Sequence, residues 1–180
     1  MIALGDDRGI TDLREVFATQ MQSRYFPVGL EEMGAQFNFL LQDKESLIDY
    51  YDADVYTHRL NHPGGSYGYR IELEGQILVI CTDVEHGDQI DEGVVEFARD
   101  ADLLIHEAQY TTEELASHKG WGHSSFEQAI EVAERSGAKQ LIMTHHDPDH
   151  DDQFLREIEK KCQSRFPNCS LARENVEIDM

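Results

Sequence analysis

Ile77-Leu78-Val79-Ile80-Cys81-Thr82-Asp83 is the stretch that decides the fold. Its first five residues are apolar and β-branched-rich, too short a run for a helix, and predict a strand buried on both faces. The run ends abruptly in Thr82-Asp83-Val84-Glu85-His86. The same device recurs twice downstream. Leu103-Leu104-Ile105 ends in His106-Glu107, and Leu141-Ile142-Met143 ends in Thr144-His145-His146-Asp147. Helical spacing fills the intervals, over Ile90–Ala98, Ser124–Arg135 and Asp152–Cys162. The middle helix is the best marked. Ser124 with Glu127 forms a capping box, Phe126, Ala129, Ile130 and Ala133 form a stripe, and Gly137 stands just past the end. In the last helix Phe154, Leu155 and Ile158 face inward. This alternation predicts an α/β protein, a sheet with covering helices.

The N-terminal third is less periodic. A helix is expected over Thr11–Met21, with Thr11 as N-cap and Leu13, Val16, Phe17 and Met21 on one side. Tyr25-Phe26-Pro27-Val28 reads as an extended break, and Gln36–Leu41 as a strand. Short strands are expected over Val55–Arg59 and Gly68–Leu73. In the second, Tyr67, Tyr69, Ile71 and Leu73 alternate with small or polar residues.

Length and composition narrow the classes. A chain of 180 residues suffices for one domain with a core. No apolar run approaches the roughly 20 residues that span a bilayer. The first residues lack the basic and apolar regions of a signal peptide, so a cytoplasmic protein is expected. The three cysteines, Cys81, Cys162 and Cys169, have no metal-finger spacing and are expected as reduced thiols. A formal charge of −21 argues against a broad phosphate-binding surface for extended nucleic acid. A small phosphate ester held by a metal remains compatible, because a dication dominates its local field.

Strand ends of a layered sheet share one rim, so polar groups far apart in sequence converge there. Imidazole nitrogen and carboxylate oxygen suit zinc, and also manganese or iron. All three strand ends carry such groups, with His62-Pro63-Gly64-Gly65 beside them, and Asp83 has two oxygens with which to bridge cations. His106 with Glu107 is either a pair that orients a neighbouring His or a structural pair. Trp121 either lines a pocket, stacking on a base or ring, or packs in the core. Asp149–Asp152 reads as a solvated acidic loop, and His58, His86 and His118 as surface residues.

Several segments, taken in order, resemble the metallo-β-lactamase superfamily. Leu60-Asn61-His62-Pro63-Gly64-Gly65-Ser66-Tyr67-Gly68-Tyr69-Arg70-Ile71 looks like its third metal motif, Cys81-Thr82-Asp83 its bridging-aspartate motif, and Leu141-Ile142-Met143-Thr144-His145 its last His motif. Leu104-Ile105-His106-Glu107-Ala108 and Gly122-His123-Ser124-Ser125 resemble segments of the ribonuclease Z and phosphodiesterase-like branch. Asp83 and His123 are 40 residues apart, His123 and His145 22. The resemblance implies His62, Asp83 and His145 as metal ligands and His123 as proton donor to the leaving group. It implies Zn²⁺, two ions in full-length relatives, with Mn²⁺ or Fe as alternatives. The expected position of His123, at a helix N-terminus, would lower its pKa and favour anionic oxygens nearby.

The superfamily's His-x-His-x-Asp-His motif does not occur in this sequence. The expectation is therefore a single partial domain over residues 1–180, the C-terminal half of the αββα sandwich. It would belong to a metal-dependent phosphodiesterase acting on a small or cyclic nucleotide. The alternative is a non-catalytic remnant that binds a ligand or partner. No membrane and no extended nucleic acid are expected as partners, and a homodimer is, since a partial domain exposes a sheet face.

Overall fold

The computed structural model describes residues 13–35, 37, 48–50 and 53–178. Contacts divide the chain into two compact units, Met1–Ser46 and Leu47–Met180. The described part of the first holds helix α1, Leu13–Gln20, and a 3₁₀ turn, Leu30–Glu32. Val16, Phe17 and Met21 are half-buried, in keeping with the expected stripe. Between these elements, Tyr25–Val28 lies in turns and bends. Arg14 pairs with Glu31. The expected Thr11 cap and most of the expected Gln36–Leu41 strand lie outside the described residues.

The second unit is a seven-stranded mixed sheet in sequence order. The strands are β1 (Ile48–Tyr50), β2 (Ala53–Leu60), β3 (Ser66–Leu73), β4 (Gln76–Cys81), β5 (Leu103–Glu107), β6 (Leu141–Thr144) and β7 (Cys169–Leu171). β1 to β4 pair antiparallel and β4 to β7 parallel. Two reversals separate β2 from β4, so β2 runs in the direction of β4, β5 and β6. Their C-terminal ends therefore lie along one rim. The helices are α2 (Glu92–Phe97), α3 (Thr112–Leu115), α4 (Phe126–Ser136) and α5 (Asp152–Arg165).

Register explains the core. Val79, Leu104, Leu141 and Cys169 stand side by side across β4 to β7 and are buried, as are Cys81, Met143 and Leu171 two residues further on. Val94, Val95, Phe126, Ala129, Ile130, Ala133, Ile158 and Cys162 of α2, α4 and α5 join the same cluster. Full burial of such a side chain stabilises by roughly 1.5–3 kcal/mol, so this helix-covered face carries the sheet. On the other face Leu103 and Ile142 are buried, but Leu78, Ile80 and Ile105 are only half-buried. The expectation of burial on both faces of β4 is corrected here, because α2, α4 and α5 all pack on the Val79 side. The cysteines are buried and free. Among the described residues no helix is long and apolar enough to cross a membrane.

The α4 cap lies one residue later than expected. Ser125, not Ser124, accepts from Gln128 N–H, and the Gln128 side chain accepts from Ser125 N–H. Ser124 is used elsewhere: its hydroxyl donates to Val84 O and its N–H to Glu107 Oε2. At the other end Gly137 closes α4 with φ 74°.

His86, expected at the surface, is buried against fully buried His106 with the rings stacked. Asp91 N–H donates to His86 Nδ1 (3.2 Å), which leaves the His86 proton on Nε2. Nε2–H then donates to His106 Nε2 (3.2 Å), and His106 Nδ1–H donates to Glu107 O (2.6 Å). The chain of bonds is complete only with both rings neutral. Burial accordingly pushes His86 down to about 3 and His106 down to about 4. The unfolded chain binds these protons first, so the stability this pair provides is present above pH ~6.5 and falls away as pH drops through about 4 to 3. His106→Gln should remove about one proton from that acid limb. Urea unfolding from pH 6.5 to 4 would then show a slope shallower by about 1.4 kcal/mol per pH unit at most; an unaltered slope refutes the assignment.

Candidate active site

The rim formed by the ends of β2, β4, β5 and β6 carries the polar cluster. His62 follows β2, Asp83 follows β4, Glu107 ends β5 and His145 follows β6. His123 arrives from the segment before α4. His62, Asp83 and His123 offer ligand atoms all within 4.8 Å of one another, and so do Glu107, His123 and His145. Asp83 Oδ1 stands 3.4 Å from His145 Nε2. All four residues expected from the sequence are thus brought together, with His123 shared by both groups.

Backbone conformation is part of the site. Asp83 (φ 58°) and His145 (φ 61°) both adopt the left-handed region directly after their strands. Such residues are uncommon and concentrate where surrounding structure holds them for function. Ser66 Oγ donates to Asp83 O (2.6 Å), and Gly65 N–H donates to His62 O (2.8 Å). Gly122 (φ 95°) crosses His62 so closely that a Cβ there would lie 2.1 Å from His62 Cδ2 and 2.6 Å from Pro63 Cδ.

Glu107 is fully buried beneath the cluster. Its Oε1 accepts from Val84 N–H (2.8 Å) and lies 3.0 Å from His123 Nδ1, and its Oε2 accepts from Ser124 N–H (3.1 Å). Of the two readings open for His106-Glu107, Glu107 takes the orienting one and His106 the structural one. Burial raises the Glu107 carboxyl to about 7, against the pull of the Ser124 and Val84 N–H groups. Burial also lowers the His123 imidazole, against the nearby Asp83 and Glu85 charges. α4 starts at Phe126, so His123 lies two residues before its Ser125 cap, one residue further from the helix than expected.

Glu85 gave no signal in the sequence beyond its place two residues after Asp83. Its two oxygens accept from Gly120 N–H and Gly122 N–H, both at 2.8 Å. Its backbone exchanges hydrogen bonds with Asn61, N–H to Asn61 O and O from Asn61 Nδ2, again at 2.8 Å. One residue thus joins the loops that carry His62, Asp83 and His123. His58 stacks on Phe97 and His118 on Tyr110, so neither is an open surface residue. Asp149, Asp151 and Asp152 are exposed as expected, and Asp151 caps α5 through Phe154 N–H.

The donor types suit a cation: in each group imidazole nitrogens and a carboxylate oxygen lie within 4.8 Å of one another. A mixed α/β sheet with its polar cluster along one rim is the arrangement of the metallo-β-lactamase fold. Residues 5–146 match the family model described as beta-lactamase superfamily domain, and the chain belongs to that family. The Ribonuclease Z of Gemmatimonas aurantiaca is 36% identical over 106 residues, 59% of this chain and 32% of that protein. The chain spans about a third of the length of that curated relative. The metallo-beta-lactamase fold protein YhfI of Bacillus subtilis is 17% identical with a TM-score of 0.67, over 96% of this chain and 62% of that one. A diphosphatase from the PhnP family is 18% identical with a TM-score of 0.61, over 98% and 56%. At these identities the two structures share the fold.

Gly122→Ala should displace His62, whereas Gly120→Ala, with nothing within 4 Å of its added Cβ, should not. Both incur the left-handed backbone cost of about 1–2 kcal/mol. Only Gly122→Ala should also shift the His62 imidazole resonances; equal spectra for the two variants would contradict the close crossing.

Proposed function

We propose that this chain carries the metal-binding and proton-transfer part of a phosphodiesterase acting on a small or cyclic nucleotide. The observation that carries the reading is the Glu107–His123 pair lying against the donors His62, Asp83 and His145. His62, Asp83 and His145 would hold the cation, Zn²⁺ by preference, with Mn²⁺ or Fe as alternatives and a second ion by analogy with full-length relatives. When bound, such an ion polarises phosphoryl oxygens and acidifies water towards neutral pH.

The protein's own contribution is proton control. Glu107 holds the Nδ1 proton of His123, so Nε2 is the nitrogen free to act. As water adds to phosphorus, losing a proton to solvent, and the P–O bond to the leaving group breaks, protonated His123 gives its Nε2 proton to the departing alkoxide oxygen, and Glu107 stabilises the imidazolium before transfer. A positioned acid of this kind typically contributes about 10²–10⁴ in rate. Phosphodiester cleavage is favoured because the 36% identical relative is named Ribonuclease Z. That name equally brings RNA into consideration as substrate. The charge of −21 tips the reading towards a small nucleotide, since long RNA is held through clustered cations.

Hydrolysis of cyclic AMP, whose leaving group is an alkoxide, by the chain with added Zn²⁺ or Mn²⁺ is expected to fall about 10²–10⁴-fold in His123→Ala. Unchanged activity in that variant defeats the proton-donor role, and activity confined to thioesters or β-lactams defeats the substrate class.

A second reading is favoured by the absence of His-x-His-x-Asp-His from the sequence: a non-catalytic remnant of the fold that binds a ligand, a partner or a second copy of itself. Metal analysis separates the two. The hydrolase reading expects bound metal in the purified chain and its loss in Asp83→Ala, while no metal in either favours the remnant.

A further inference from the structure

Trp121 is 60% exposed, which removes the core-packing reading of this residue. It occupies a built position. Glu85 clamps the N–H groups of both flanking glycines, Gly120 (φ 83°) and Gly122 (φ 95°), so the turn is fixed on either side of the ring. Trp121 N–H donates to His118 O (3.1 Å). The indole meets the His118 ring edge-on at 4.7 Å, His118 stacks on Tyr110 at 4.3 Å, and Tyr110 meets His123 edge-on at 6.3 Å. His118 is itself anchored by its Nδ1 to Glu114 O (2.7 Å). A tryptophan that only filled space would be buried. This one is held out to solvent, on a turn that touches His62 through Gly122 and lies two residues from His123. Two residues span at most about 7 Å of chain.

We infer that Trp121 is a stacking platform for the nucleobase of a nucleoside phosphate whose phosphate lies at the His62–Asp83–His145 cluster. An aromatic face suits this strongly acidic protein. Stacking draws on the π-face that every base has and requires no basic patch. The inference rests on the phosphodiesterase reading and adds to it the residue that holds the base of the nucleotide.

Trp121 is the single tryptophan of the sequence, so its emission reports the site directly. The full chain with Zn²⁺ is titrated with AMP and, in parallel, with ribose 5-phosphate. AMP should quench the emission saturably and ribose 5-phosphate should not. By calorimetry, Trp121→Ala should weaken AMP binding about five- to hundred-fold, Trp121→Phe should recover part of the loss, and ribose 5-phosphate should bind all three proteins alike. Because the side chain is exposed, the variants should keep the parent Tm. AMP bound equally by parent and Trp121→Ala, or no AMP-dependent change in emission, overturns the platform. So does an emission change that follows protein concentration alone, which would assign Trp121 to a contact between copies. The two readings fail separately. Zn²⁺-dependent cleavage of bis(p-nitrophenyl) phosphate without AMP quenching refutes the platform only. AMP quenching without cleavage supports the platform and refutes the hydrolase.

Discussion

The buried carboxylate of Glu107 is the constraint around which the rim is organised. A carboxyl group with no exposure is costly to keep unless its oxygens are matched by donors. Here Val84, Ser124 and His123 supply them, one from the loop after β4 and two from the segment before α4. Satisfying one side chain therefore fixes two loops that are 40 residues apart between Asp83 and His123. Loss of a partner to such a buried group costs about 1–3 kcal/mol, enough to keep the loops from drifting independently. The same need explains why α4 begins a residue late: Ser124 is committed to Glu107 and Val84, and Ser125 inherits the cap.

Around this point the site is assembled from pieces that are individually unremarkable. Parallel strands ending on one edge deliver Asp83, Glu107 and His145, and the two reversals between β2 and β4 bring His62 to the same edge. Asp83 and His145 both turn into left-handed backbone on leaving their strands, which swings their side chains out of the sheet's alternation. Glu85 then ties the outer loops together through backbone donors that any residue could supply. The inner carboxylate governs protonation and the outer one governs loop position. The surrounding rings, from His123 through Tyr110 and His118 to Trp121, extend this order to the surface.

His86 and His106 show how a second polar pair supports the first. The proton chain from Asp91 through both rings ends on the carbonyl of Glu107. It fixes the backbone of the residue whose side chain holds His123. Neither ring reaches the donor cluster, yet both lie within the same network of loops. Buried histidines that remain neutral rigidify a core only while every nitrogen is matched, as these are along the chain.

Much of this protein was legible in order and chemistry. The apolar runs at Ile77, Leu103 and Leu141 and the helical stripe through Phe126 and Ala133 identify an α/β sheet, because burial imposes its period on composition. The polar residues that terminate those runs identify the rim and its candidate ligands, because a strand end is where a chain leaves the core. Tertiary structure alone decided the rest. His86 is buried and Trp121 is not; Glu107 faces His123 while His106 faces away; and Glu85 joins three loops. Each of these depends on which donor or acceptor lies opposite across long sequence separation. A hydrogen bond has direction and a partner, and neither is written in the periodicity of a single strand or helix.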